Sequence, residues 1–139
     1  MKTAQVMKKK LIDYEPFAEK RLVEKIHELS RNLRGLRVLH INATSFGGGV
    51  AEILHTLIPL MKDCGLKVDW KVIDAPSTFF DLSKRMHNAL QGKEDSLSDE
   101  DKRLFESVEE ENARFIEPDE YDIVVIHDPQ PVGLPAFAD

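Results

Sequence analysis

The chain has 139 residues, a formal net charge of −6 and one cysteine. That length suits a single domain with a modest core. The acidic balance argues against a nucleic-acid partner, which usually shows as a net-basic domain, and the lone Cys64 excludes an intrachain disulfide and fits a reducing, cytoplasmic setting. No apolar run approaches the roughly 20 residues that span a bilayer, and the basic start lacks an apolar signal core, so no membrane association is expected.

Residues 1–15 show weak periodicity and read as a basic, loosely ordered arm ahead of a domain covering 16–139. A helix follows over 16–34: Pro16 suits its first turn, Leu22, Ile26, Leu29 and Leu33 line one side, and Gly35 stops it. "LRVLHIN" is the first strand, with His40 packed inside it and both ring nitrogens satisfied by neighbours. From Val50 the period changes. Val50, Ile53, Leu54, Leu57 and Met61 form a helical stripe, which Pro59 should kink or shorten by a turn. His55 falls on the less apolar side of that helix, and Cys64 reads as a small buried hydrophobe. "LKVDWKVID" is a second strand with Trp70 as a large anchor of undetermined facing. "FFDLSKRMHNALQG" is a helix, and Ser98 ahead of Asp99, Glu100 and Asp101 caps another. "YDIVVIHD" holds the strongest strand, continuous from Ile123 to Ile126 as in a parallel strand covered on both faces. The order of elements makes a mostly parallel, right-handed α/β sheet the economical fold.

Charge is uneven along this path. Residues 1–40 carry ten Lys or Arg against five Asp or Glu, and residues 93–122 carry thirteen acids against four bases. The acidic stretch reads as a solvated helix and loop surface, or as a face for a basic partner.

The stretch "HINATSFGGGVAEIL" gives up three side chains where a strand meets a helix. Such a join points backbone N–H groups, and the positive end of a helix, at an incoming anion. It lies at the carboxyl end of a strand, where open sheets bind ligands. The motif is neither G-x-G-x-x-G nor a lysine-bearing phosphate loop, so two readings stand: phosphate or sugar binding by Gly47, Gly48 and Gly49, or close packing of backbone on backbone. Glu52 in the first helical turn counts against a phosphate unless it points away. Thr44 and Ser45 either supply hydroxyls or satisfy the turn.

"HDPQP" at 127–131 is the second candidate. His127 and Asp128 end the strongest strand and should emerge on the same sheet edge as the glycine turn. His127 can bond a sugar hydroxyl or carry a proton; alternatively Asp128 caps a following helix and His127 fills the turn. His87, Asn88 and Gln91 concentrate hydrogen-bonding groups near a helix end, with surface solvation as the plain account. No spacing of His or Cys builds a metal site, and no metal or cofactor is expected.

In order, "GLRVLHINATSFGGGVAEILHTLIPLMKDCGLKVDWKVI", "FFDLSKRMHNALQG" and "YDIVVIHDPQP" closely resemble the amino-terminal part of the trehalose glycosyltransferring synthase family, which is similar to sucrose synthase and glycogen synthase. The resemblance implies an incomplete amino-terminal, acceptor-side lobe of a GT-B fold, Rossmann-like, within an enzyme that retains anomeric configuration. It also implies transfer of glucose from a nucleoside-diphosphate glucose to free glucose, giving α,α-trehalose. Carried onto this chain, Gly47–Gly49 would face the donor diphosphate and sugar, His127 the donor glucose with Asp128 beside it, and His87, Asn88 and Gln91 the acceptor. Family members are about three times longer, so the chain alone is expected to be inactive. The alternatives are a non-catalytic sugar or sugar-phosphate binding module and a self-associating piece, a homo-oligomer or domain-swapped dimer formed through an exposed sheet edge.

Overall fold

The structure, a computed structural model, describes residues 1–138 without the side chain at 118; the last residue of the expected 16–139 unit lies outside the described residues. Four strands form one sheet in the order β1-β3-β2-β4, with β1 at Lys2–Thr3, β2 at Arg37–Asn42, β3 at Lys67–Val72 and β4 at Ile123–Ile126. β2 pairs in parallel with both neighbours, placing His40 opposite Trp70 on one side and opposite Val125 on the other. Four helices accompany the sheet: α1 (Lys20–Ser30), α2 (Gly49–Asp63), α3 (Ser77–Leu90) and α4 (Asp99–Ala113). The chain order thus gives the expected α/β, Rossmann-like arrangement with a mostly parallel sheet.

Period-two alternation sorts the strand residues onto two faces. Val38, Val68 and Trp70 pack with Ala51, Leu54 and Ile58 of α2. Leu39 and Ile41 face the other way, against Phe79 of α3, Val108 of α4 and Leu134. β2 is covered on both faces, so only its ends can meet a ligand. Trp70, whose facing the sequence left open, is buried on the α2 side.

α3 and α4 run as an antiparallel hairpin. Phe79 stacks on Phe105 with ring centroids 5.7 Å apart, and further out Arg85 binds Asp95 at 2.9 Å and Asp101 at 3.0 Å. Ser98 caps α4 as expected and makes a full capping box, its hydroxyl accepting from the Asp101 amide while the Asp101 carboxylate accepts from the Ser98 amide. At the opposite edge, Arg37 and Asp122 bind at 2.9 Å and tie the start of β2 to the start of β4. The guanidinium holds the Asp122 carboxyl at about 2.

Several expectations change. Lys2–Thr3, within the segment expected as a loose arm, pairs antiparallel with the free side of β3, and Leu11 is buried. Two residues are too few to show a period, which is why the sequence does not reveal them. The first helix is shorter than 16–34: a 3-10 turn occupies Leu11–Tyr14, α1 starts at Lys20, and another 3-10 turn closes it at Arg31–Leu33. Its buried residues are Val23 and Ser30, while Leu22, Leu29 and Leu33 remain exposed. In α2 the buried line is Ala51, Leu54, Ile58 and Pro59 rather than the stripe through Ile53 and Leu57. The helix continues past Pro59 to Asp63. Cys64 is only half-buried, and that burial pushes its thiol pKa up. β4, read as covered on both faces, lies at the edge with Ile123 46% and Val124 40% exposed. Its second edge has no partner among the described residues.

Among the described residues no helix is long and apolar enough to cross a membrane.

Candidate functional site at the carboxyl edge of the sheet

β3 and β4 lie on opposite sides of β2 and run parallel to it. The strand order therefore reverses at β2, and the carboxyl ends of β2 and β4 border the kind of crevice where open α/β sheets take ligands. The glycine turn leaves β2 there, and His127 follows β4 there. Adjacent strands are about 4.8 Å apart, so the two segments share one rim, as expected from the sequence.

The turn is fastened from below. Asn42, fully buried at the end of β2, accepts from the Trp70 indole N–H at 2.7 Å and donates through Nδ2 to the Thr44 carbonyl at 2.7 Å. His55 of α2 donates from Nε2 to the Ser45 carbonyl at 2.9 Å and rests edge-on against Trp70 at 5.0 Å. Thr44 satisfies its own turn, its hydroxyl donating to the Phe46 carbonyl at 2.8 Å and accepting from the Phe46 amide at 3.1 Å. Of the two uses weighed for that hydroxyl, the structure shows the local one. Phe46, 80% exposed, stands at the tip.

Above this base the glycines face open space. Gly47 and Gly48 have φ of +70° and +84°, and Gly48 combines that φ with ψ of 153°, a region essentially reserved for glycine. Gly49 needs no such conformation. An added Cβ at any of the three would meet nothing within 4 Å, so close packing of backbone on backbone does not explain them. Gly48 provides no side-chain cap to α2, and the first bond to the helix runs from the Glu52 amide to the Gly48 carbonyl at 3.3 Å. The amides of Gly47, Gly48 and Gly49 have no backbone acceptor among the described residues.

Gly49→Ala separates geometry from function. The substitution should leave stability unchanged or raise it by up to about 1 kcal/mol, by restricting the unfolded chain, yet weaken binding of any ligand that approaches the bare backbone. Gly48→Ala should instead cost about 1–3 kcal/mol. Thermal denaturation of both variants, with nucleoside-diphosphate glucose binding measured on Gly49→Ala, checks the pair. Unaltered binding by Gly49→Ala would mean that the open backbone is not used.

On the same α2 face, two residues beyond Val125, His127 meets His40. Nδ1 of His40 lies 2.9 Å from Nε2 of His127, and the two rings are nearly parallel, 13° apart with centroids separated by 5.2 Å, as for rings joined edge to edge through that contact. The His127 amide also donates to the Ile41 carbonyl at 2.8 Å, extending the β4 ladder by one bond. Burial lowers the pKa of both rings. His40 falls to about 4, with His127 adding a smaller push in the same direction, and the lowering of His127 is partly opposed by Asp128. The expectation that both His40 nitrogens find neighbours needs correction, because Nε2 is buried without a partner.

Asp128 has φ of +70°, the one non-glycine residue at positive φ among those described. A bend and turn follow it, and the 3-10 turn at Leu134–Ala136 takes Gly133 as its cap. Asp128 therefore caps no helix. Its exposed carboxylate stands beside His127, in a backbone conformation that costs an aspartate less than most residues.

His87, Asn88 and Gln91 form a separate group. They sit at the far end of α3, about 15 Å of helical rise beyond its first residue, where Gln91 Nε2 donates to His87 Nε2 at 3.1 Å. The contacts of the described residues do not join them to the His40–His127 pair.

Two buried groups escaped the sequence reading. Asn42 stands at a strand end with no motif around it. Glu109 belongs to the acidic stretch read as solvated, yet it is 1% exposed. Spacings of three and four connect Phe105, Val108, Glu109 and Asn112, and that periodicity marks Glu109 as inward-facing.

The parallel strands and the reversal at β2 define a Rossmann-like α/β lobe, the arrangement of a partial GT-B lobe. The family described as "Trehalose synthase, N-terminal domain" matches residues 40–139, and the chain belongs to that family. It is 47% identical over 131 residues to the trehalose synthase of Pyrococcus horikoshii, covering 94% of this chain and 32% of that protein. Similarity to the trehalose synthase of Rubrobacter xylanophilus is 47% over 132 residues, with 94% and 32% covered. For the trehalose synthase of Thermococcus litoralis the identity is 45% over 130 residues, with 93% and 32% covered. The chain thus spans about a third of the length of these relatives.

Proposed function

We propose that this chain is the acceptor-side lobe of a retaining glycosyltransferase that makes α,α-trehalose from a nucleoside-diphosphate glucose and glucose. The observation that carries the proposal is that the glycine turn at Gly47–Gly49 and the His127 ring follow the carboxyl ends of two neighbouring parallel strands and so share one edge of the sheet. Each part has a chemical use there. Amides at the start of α2 donate to diphosphate or sugar oxygens, aided by the positive end of the helix. His127 and Asp128 contact the donor glucose, and His87, Asn88 and Gln91 on the α3–α4 hairpin contact the acceptor. No side-chain nucleophile is required.

Retaining transfer needs the acceptor hydroxyl to attack on the face the diphosphate leaves, with the departing charge held by positioned donors out of water. One lobe provides one wall of such a cleft. The 139-residue chain is therefore expected to form no trehalose when given a nucleoside-diphosphate glucose and glucose. Chromatographic detection of trehalose checks this, and sustained turnover by the chain alone would overturn the assignment of the second wall to residues outside it.

A further inference from the structure

We propose that His40 is a positioning residue for His127: its Nδ1–H donates to Nε2 of His127, which fixes the His127 proton on Nδ1 and presents that N–H at the rim. The inference rests on the reading of the rim as a sugar and diphosphate site.

A contact of 2.9 Å between two ring nitrogens holds one proton, so one ring donates and the other accepts. If His127 donated from Nε2, His40 would accept at Nδ1 and carry its own proton on Nε2. That nitrogen is buried with no partner, and an N–H closed in without an acceptor is among the costliest polar defects in a fold. With His40 donating, the orphan is only a lone pair. The tautomer of one ring thus sets the tautomer of the other.

His127 responds to this arrangement at its free side. Its Nδ1 bonds to no described residue and is not among the buried atoms lacking a partner, so solvent reaches it. An N–H there is a donor and takes no proton. His127 accordingly recognises an acceptor oxygen, a sugar hydroxyl or a phosphate oxygen, and does not serve as a general base through that nitrogen. Protonating His127 on Nε2 would force the buried proton shift in His40. The hydrogen bond therefore keeps the pair neutral while Asp128 stands beside it.

Nitrogen NMR of the 15N-labelled chain at pH 7.5 tests this directly. The wild type should show His127 protonated on Nδ1, together with a coupling across the hydrogen bond from His40 Nδ1 to His127 Nε2 whose proton belongs to His40. His40→Leu removes the donor and should move most of His127 to the Nε2–H form, while His40→Gln, which supplies an N–H, should restore the Nδ1–H form. A wild-type His127 protonated on Nε2, or a folded His40→Leu chain with an unchanged His127 tautomer, would overturn the proposal. If His40→Leu fails to fold, the wild-type coupling decides by its presence and by which ring holds the proton. Titration with a nucleoside-diphosphate glucose is read separately: the expected tautomers without any ligand response would leave His40 as the positioning residue and defeat the sugar reading.

Discussion

Glu109→Gln is expected to turn a shallow profile of stability against pH into one that climbs by about 2–3 kcal/mol between pH 4.5 and 6.5, at about 1.4 kcal/mol per pH unit for one proton. Two buried groups oppose each other across that window in the wild type. Burial raises the Glu109 carboxyl from 4.5 to about 7, against a smaller lowering by the backbone of Gly133 and Leu134. Neither carboxylate oxygen makes a well-formed hydrogen bond, so proximity of those amides does not replace lost water. The folded chain then holds a proton that the unfolded chain releases, and stability present below pH 4.5 is lost as pH rises to about 7. His40 has the reverse sign. It is neutral in the fold down to about pH 4, whereas the unfolded ring protonates below 6.5, so stability present above 6.5 is lost as pH falls towards 4. One slope falls while the other climbs, and they nearly cancel. Glutamine cannot ionise, which leaves the His40 slope exposed, with His127 adding in the same sense. Urea midpoints across the window check this, and a variant profile as shallow as the wild type would mean that Glu109 is ionised in the fold.

Asn42→Ala should cost about 2–4 kcal/mol, the sum of a stranded buried donor and one lost hydrogen bond. The Trp70 indole N–H would lose its acceptor inside the core, and the Thr44 carbonyl would lose the donor that starts the glycine turn. Faster hydrogen exchange over residues 44–49 should accompany the loss. Trp70→Phe on that background removes the stranded donor and should recover part of the stability while leaving the turn loose. Denaturant unfolding of the single and double variants measures both effects. A cost below about 1 kcal/mol for Asn42→Ala would mean that Trp70 readily finds another partner.

Much of this architecture is legible in the sequence because strands and helices announce themselves by period. "LRVLHIN", "LKVDWKVID" and "YDIVVIHD" coincide with β2, β3 and β4 to within a few residues, and the Ser98 cap marks the start of α4. Placing Gly47–Gly49 and His127 on one rim needs only parallel strands, because parallel strands send their carboxyl ends to the same edge. What stays hidden depends on pairing and on the phase of helix burial. His40 and His127 are 87 residues apart, and only the register of β2 with β4 brings them together. A leucine stripe on α1 is visible in the sequence, but whether anything covers it depends on how α1 packs, and Val23 is the apolar residue buried. Glu109 vanished into a run of acids whose net charge overrode the period of its neighbours. Gly133 shows the same limit. An added Cβ would approach Glu109 Cγ to 2.9 Å and Phe105 to 3.1 Å, a close approach that no local motif signals.

The most direct measurement is a titration of the 15N-labelled chain with a nucleoside-diphosphate glucose, following the backbone amides of Gly47, Gly48 and Gly49 together with the ring nitrogens of His127. These signals should move along one saturation curve while those of α1 stay still. Saturation elsewhere with the glycine amides and the His127 ring unmoved would contradict it.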